Sequence, residues 1–129
     1  MRCYVITGIS RIIMEEILRR NVKTLELKSA HNVATALKAN VGEKVFLTTV
    51  KTHDLSKGVS GIIADITDKE VMSQSIFYTS PHYVEECEVT VVRLRISPRG
   101  FGRIVRVKRG DILETTEADV VEVSYFDAR

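Results

Sequence analysis

The sequence predicts an α+β fold: a small mixed β-barrel or strongly curled sheet with two short helices near its N-terminus. Three observations carry this. Short runs that alternate apolar and polar residues recur along the chain, separated by Gly, Pro, Asn and Asp turn signals. Two early stretches instead have helical spacing. No regular strand–helix–strand alternation or internal repeat follows them, which argues against a doubly wound parallel sheet.

The chain has 129 residues, 44% hydrophobic and 28% charged. That is the profile of one soluble globular domain, residues 1–129, able to bury a core without staples. No apolar run approaches a membrane span, so no membrane partner is expected. The N-terminus, MRCYVITGIS, lacks the apolar core and cleavage site of a signal peptide. It reads as a first strand and places the protein in the cytoplasm. Cys3 and Cys87 lie far apart in strand-like segments and read as free thiols. His31, His53 and His82 are scattered, so no metal site and no cofactor is expected.

Residues 2–7 form the first strand and Gly8 breaks it. Ser10 caps a helix running to Arg20, with Ile9, Ile12, Ile13, Met14, Ile17 and Leu18 on its apolar face. Asn21 stops it. Residues 22–28 alternate as a strand, Leu25 and Leu27 inward and Thr24, Glu26 and Lys28 outward. Ser29 caps a second helix over residues 30–39. Lys44–Val50 and Val59–Ile66 are strands around the loop 53–58, with Gly61 marking a close approach. Asp68–Ser75 reads as a helical turn, residues 76–79 as a short strand ended by Pro81, and 83–96 as a long β-rich run. SPRGFG, residues 97–102, reads as a hairpin loop. Arg103–Lys108 then returns as a strand with Val105 and Val107 inward. Arg109-Gly110-Asp111 is a turn, and Val120–Tyr125 the last strand. The total is seven or eight short strands.

The order of K-T-x-E-x-K (Lys23, Thr24, Glu26, Lys28), V-G-E-x-V (Val41, Gly42, Glu43, Val45) and a glycine-led strand (Gly58, Gly61, Ile62) resembles the PUA-like superfamily, and within it the ASCH domains. The likeness covers roughly residues 9–66. Asn21, Lys28 and Glu43 stand where the ASCH pattern has Gly, Arg and Asp, and Lys lacks the planar two-point contact of Arg. The chain also resembles an uncharacterised family of small archaeal proteins, through C-x-x-x-T-G-I-S (Cys3 to Ser10) and E-L-K-S-A-x-N (Glu26 to Asn32). The resemblance implies a small PUA-like barrel that binds RNA or a nucleotide-like ligand, with Lys23, Thr24, Glu26 and Lys28 at the cleft. Some small ASCH members resemble amidohydrolases of acylated nucleosides. On that alternative Lys23, Thr24 and Glu26 are the catalytic candidates.

Residues alone leave the polar strand open to two readings: a ligand-cleft lip or a solvated face. The second feature is charge. Residues 93–109 hold Arg93, Arg95, Arg99, Arg103, Arg106, Lys108 and Arg109 and no acid, whereas six acids follow within 110–129. A hairpin through SPRGFG would put Arg93, Arg95, Arg106 and Lys108 on one outer face, with Arg99, Arg103 and Phe101 at the loop. Like charges so placed repel. Either an anionic partner offsets that, with phosphates on the arginines and a base on Phe101, or Glu86, Glu88 and Glu122 neutralise the face internally. A third functional reading is an interaction module whose basic hairpin docks an acidic protein. His53–Asp54 has no nucleophile placed around it, and Gly58-x-x-Gly61 lacks the context of a phosphate loop.

Overall fold

The computed structural model describes residues 1–19, 23–109 and 115–125. In chain order the elements are β1 (Arg2–Ile6), α1 (Arg11–Arg19), β2 (Lys23–Leu27), α2 (Ala30–Lys38), β3 (Lys44–Leu47), a 3-10 turn (Thr52–Asp54), β4 (Ser60–Thr79), β5 (Val84–Arg109) and β6 (Thr116–Tyr125). The fold is mixed α+β: a six-stranded sheet that closes on itself, with two short helices in the N-terminal half. β1 pairs parallel to β3; every other pairing is antiparallel. The ring runs β1–β3–β4–β5–β6 and back to β1, and β2 is added outside it along β5.

Because strand side chains alternate, each ring strand feeds two cores. Cys3, Val5, Phe46, Ile63, Ile104, Ala118 and Val120 fill the barrel with Leu55. Ile6, Val45, Leu47, Ile62, Ala64, Leu94 and Ile96 face the other way, against Ile9 and Ile17 of the α1 region and Val33 and Ala36 of α2. β3 is buried on both faces from Val45 on, which is why Val45–Leu47 is an unbroken apolar run. Burial in the barrel pushes the Cys3 thiol up to about 11, so it stays protonated.

Both helices start where their serines predict. Ser10 Oγ accepts from Ile13 N, and Ser29 Oγ from Asn32 N. The end of α2 is held from a distance: Lys69 Nζ donates to the carbonyls of Ala36, Leu37 and Ala39, the last at 2.7 Å. Ile12, expected on the apolar face of α1, is exposed.

Three expectations are corrected. The described residues form six strands rather than seven or eight, and Asp68–Ser75 is strand, not a helical turn. β4 continues unbroken to Thr79 and pairs with β5 as far as Val84. The SPRGFG segment is not a hairpin loop: residues 84–109 are one strand. Val105 is not inward; the register skips it, and Ile104 takes the inner position. The turn signals in SPRGFG have another use. β5 pairs β2 only up to Ile96 and β6 only from Gly100 onward. Pro98 lies in the gap, paired with β4 alone, where a missing N–H breaks no ladder. Gly102 lies inside the barrel, where a Cβ would meet Ile63 and Val120 at 2.6–2.8 Å. The segment is a corner that hands β5 from one neighbour to the other. The stop at Asn21 and the turn at Gly110 and Asp111 lie outside the described residues.

Gly61 lies at a close approach of two barrel strands. A Cβ there would overlap the Leu47 carbonyl and lie 2.6 Å from the Phe46 ring. Gly61→Ala is expected to destabilise the fold by about 1–3 kcal/mol, read as a lower urea midpoint at unchanged m.

Candidate ligand cleft

Three segments meet beside α2. The chain leaving β1 supplies Thr7, Gly8, Ile9 and Ser10; β2 supplies Lys23–Leu27, with Lys28 just after it; the turn after β3 supplies Lys51 and Thr52. Between them lies a cleft of about 690 Å³, within the range of small-molecule sites. β2 is the end strand of the sheet, so one of its edges borders the cleft without a partner strand among the described residues. Ile9, Ile13, Leu25 and Leu27 give the cleft apolar surface, and lysines and hydroxyls give its polar points.

The floor is a hydrogen-bonded cluster. Asn32, buried in the first turn of α2, accepts from Thr7 N at 3.0 Å and donates from Nδ2 to Thr7 O at 2.9 Å. A flipped amide would set like groups against both, so the orientation is fixed by its partners. Thr7 Oγ1 lies 2.8 Å from Thr52 Oγ1 and 3.3 Å from His31 Nδ1. His31 Nε2 reaches Thr116 Oγ1 at 3.1 Å. Arg109, at the end of β5, donates to the carbonyls of Thr52 and Leu55 and so anchors the 3-10 turn.

All four residues expected at the cleft line it: Lys23, Thr24, Glu26 and Lys28. Thr24, Glu26 and Lys28 are on the exposed face of β2, while Lys23 shares the other face with Leu25 and Leu27. Lys23 Nζ donates to Glu16 Oε2 at 2.5 Å. Glu26 bridges Lys28 and Arg93, each at 3.3 Å. Those hydrogen bonds, from Lys28 first and then Arg93, hold its carboxyl below the ordinary range.

The basic residues 93–108 do not line the cleft, nor do they form one hairpin face. Arg93 pairs with Glu26, Arg99 with Asp65 and Arg106 with Asp119. Arg95 lies opposite Thr24 and Asp68, and Lys108 opposite Glu117. Arg103 lies between Ser60 and Val121, and Phe101 between Ile62 and Ser124. Part of the patch is thus neutralised internally, but by Glu26, Asp65 and Asp119. The expected acids lie elsewhere: Glu86 and Glu88 toward the tip of the β4–β5 hairpin, Glu122 opposite Gly102.

Sequence reasoning missed Thr7, His31, Asn32, Lys51 and Thr52. Three segments far apart in the chain bring them together, so no local spacing announces them. The available signals were Thr7 and Asn32 inside the C-x-x-x-T-G-I-S and E-L-K-S-A-x-N motifs, and Ala30-His31-Asn32 after a capping serine, which puts polar side chains in a first helical turn.

The matching family model is described as a protein of unknown function (DUF473), and it covers residues 1–118. The chain belongs to that family. It is also similar to an uncharacterized protein of Methanocaldococcus jannaschii, 26% identical over 106 residues, which make up 82% of this chain and 66% of that protein. The chain therefore spans just under two thirds of the length of that archaeal relative.

Glu26 yields a pH expectation with a definite sign. Its folded pKa is lowered, so its contribution to stability is present above the ordinary carboxylate pKa and lost as pH falls through the folded value. In Arg93→Gln the Glu26 carboxyl should titrate at higher pH than in wild type, measured by NMR of the side-chain carboxyl carbon.

Proposed function

We propose that this protein is a binding domain for a nucleotide-like ligand, free or within RNA, and that the cleft between β2 and α2 receives it. The observation that carries the reading is the cleft's composition. Apolar walls from Ile9, Ile13, Leu25 and Leu27 suit a flat base. The open edge of β2 and the Thr7–His31–Thr52 floor offer donors and acceptors to its rim. Lys28 and Lys51, both exposed at the cleft, suit a phosphate. Arg93 and Arg95 continue that basic side along β5 beside β2, and Arg99, Arg103, Arg106 and Lys108 add longer-range attraction. The resemblance of the Lys23–Val45 motifs to ASCH domains, whose superfamily mostly binds RNA, points the same way, by analogy of fold.

Binding is favoured over nucleophilic catalysis by two features. Lys23 and Thr24 leave β2 on opposite faces, and the Lys23 ammonium is engaged by Glu16 rather than placed as a base for Thr24.

The test is a fluorescence-anisotropy titration with mononucleotides and short single-stranded RNAs, at low and physiological salt. Wild type should bind, and Lys28→Glu/Lys51→Glu should bind roughly tenfold or more weakly, with a salt slope smaller by about two. No binding at low salt, or binding indifferent to the double substitution, would overturn the reading.

A further inference from the structure

Beyond its pairings with β2 and β3, the β4–β5 hairpin stands alone. β3 pairs β4 only over Ile62–Asp65, and β2 pairs β5 only over Val92–Ile96. Among the described residues, 72–79 and 84–91 then pair only with each other, up to a turn closed by Ser80 N donating to Tyr83 O at 2.8 Å. The resulting arm is about 30 Å long. A lone two-stranded ribbon is marginal in water, and both of its edges are open.

The arm also exposes apolar side chains. Phe77, Tyr78 and Tyr83 are 55–64% exposed and Val84 is 66% exposed. Taken over both faces and the turn, the three residues leave roughly 350 Å² uncovered. Cross-strand register sorts them. Phe77 lies opposite Glu86, Ser75 opposite Glu88, and Thr79 opposite Val84, so Phe77 and Val84 share one face of the arm with Glu86 and Glu88, while Tyr78, opposite Glu85, lies on the other face. No Lys or Arg occurs from Val71 to Val92.

The chain carries a surface of opposite character. On the outer face of the β5–β6 pair, Arg103 lies opposite Val121, and Arg106 and Lys108 follow along the strand. Val105, Val121 and Val123 are exposed beside them. The skipped residue Val105 keeps Arg103, Arg106 and Lys108 on one side, because it restores the alternation after Ile104. Glu117 and Asp119 lie on the same face but do not cancel it, since Arg2 also draws on Asp119.

The geometry points to a reciprocal homodimer. The acidic, apolar arm of each protomer lies against the basic, apolar β5–β6 face of a second copy. Apolar residues form the contact, and Glu86 and Glu88 meet Arg103 and Lys108 at its rim. The docked acidic partner is thus this chain itself. The inference is independent of the ligand cleft.

Charge reversal tests it by sedimentation velocity. Wild type should sediment as a dimer. Glu86→Lys/Glu88→Lys on the arm, and Arg103→Glu/Lys108→Glu on the flank, should each weaken self-association roughly tenfold or more. Neither pair touches the Arg2–Asp119–Arg106 bridge, and circular dichroism checks that both variants fold. Mixing the two variants makes both contacts complementary again, so the mixture should recover the dimer. A monomeric wild type, a dimer that survives both reversals, or a mixture that stays monomeric would overturn the proposal. RNA capture by the flank of a monomeric wild type would assign that face to nucleic acid instead.

Discussion

The cleft depends on one side chain. Asn32 presents its amide to both backbone groups of Thr7, just past the end of β1, as a neighbouring strand would. A buried peptide group without partners costs about 1–3 kcal/mol, so these two bonds fix where the chain runs as it leaves the sheet. They set Thr7 Oγ1 between Thr52 and His31, and they tie the first turn of α2 to the barrel. The cleft floor is therefore held by the chain's own bonds, and a ligand bound there would bear little of the cost of ordering it.

The second constraint is the path of β5. A five-stranded ring with a sixth strand outside it needs one strand that serves both. β5 does so by pairing with β2 through Ile96 and with β6 from Gly100. Pro98 occupies the unpaired interval, and Gly102 lets the wall fold inward against Ile63 and Val120. The far end of the same strand brings Arg109 to the turn that carries Thr52. One strand thus links the outer edge of the cleft, the barrel wall and the cleft floor.

Much of this was legible in the sequence where burial imposes a pattern. Leu25 and Leu27, Val92, Leu94 and Ile96, and the serine caps of both helices fall where alternation and capping chemistry place them. The polar strand at Lys23–Lys28 does line the cleft. β4 beyond Ile66 was misread because it has no core to face there: Asp68, Glu70, Ser73 and Ser75 carry no strand-like apolar alternation. Pro98 and Gly102 were misread because the same residues make a turn or a barrel corner, and only the neighbours decide which. Thr7 and Asn32 stood in the motifs and His31 beside a capping serine, but that they meet Thr52 is tertiary, and no spacing along the chain shows it.

The most direct test of a preformed cleft is amide hydrogen exchange at Thr7 in the ligand-free protein. Thr7 lies outside β1, and its N–H is bonded to a side chain rather than to a sheet. If Asn32 holds it as described, the Thr7 amide exchanges nearly as slowly as the amide of Val5 in the barrel wall. Exchange as fast as at the exposed Ser56 and Lys57 would contradict the account, because the Asn32 bond would then not hold the cleft floor in place.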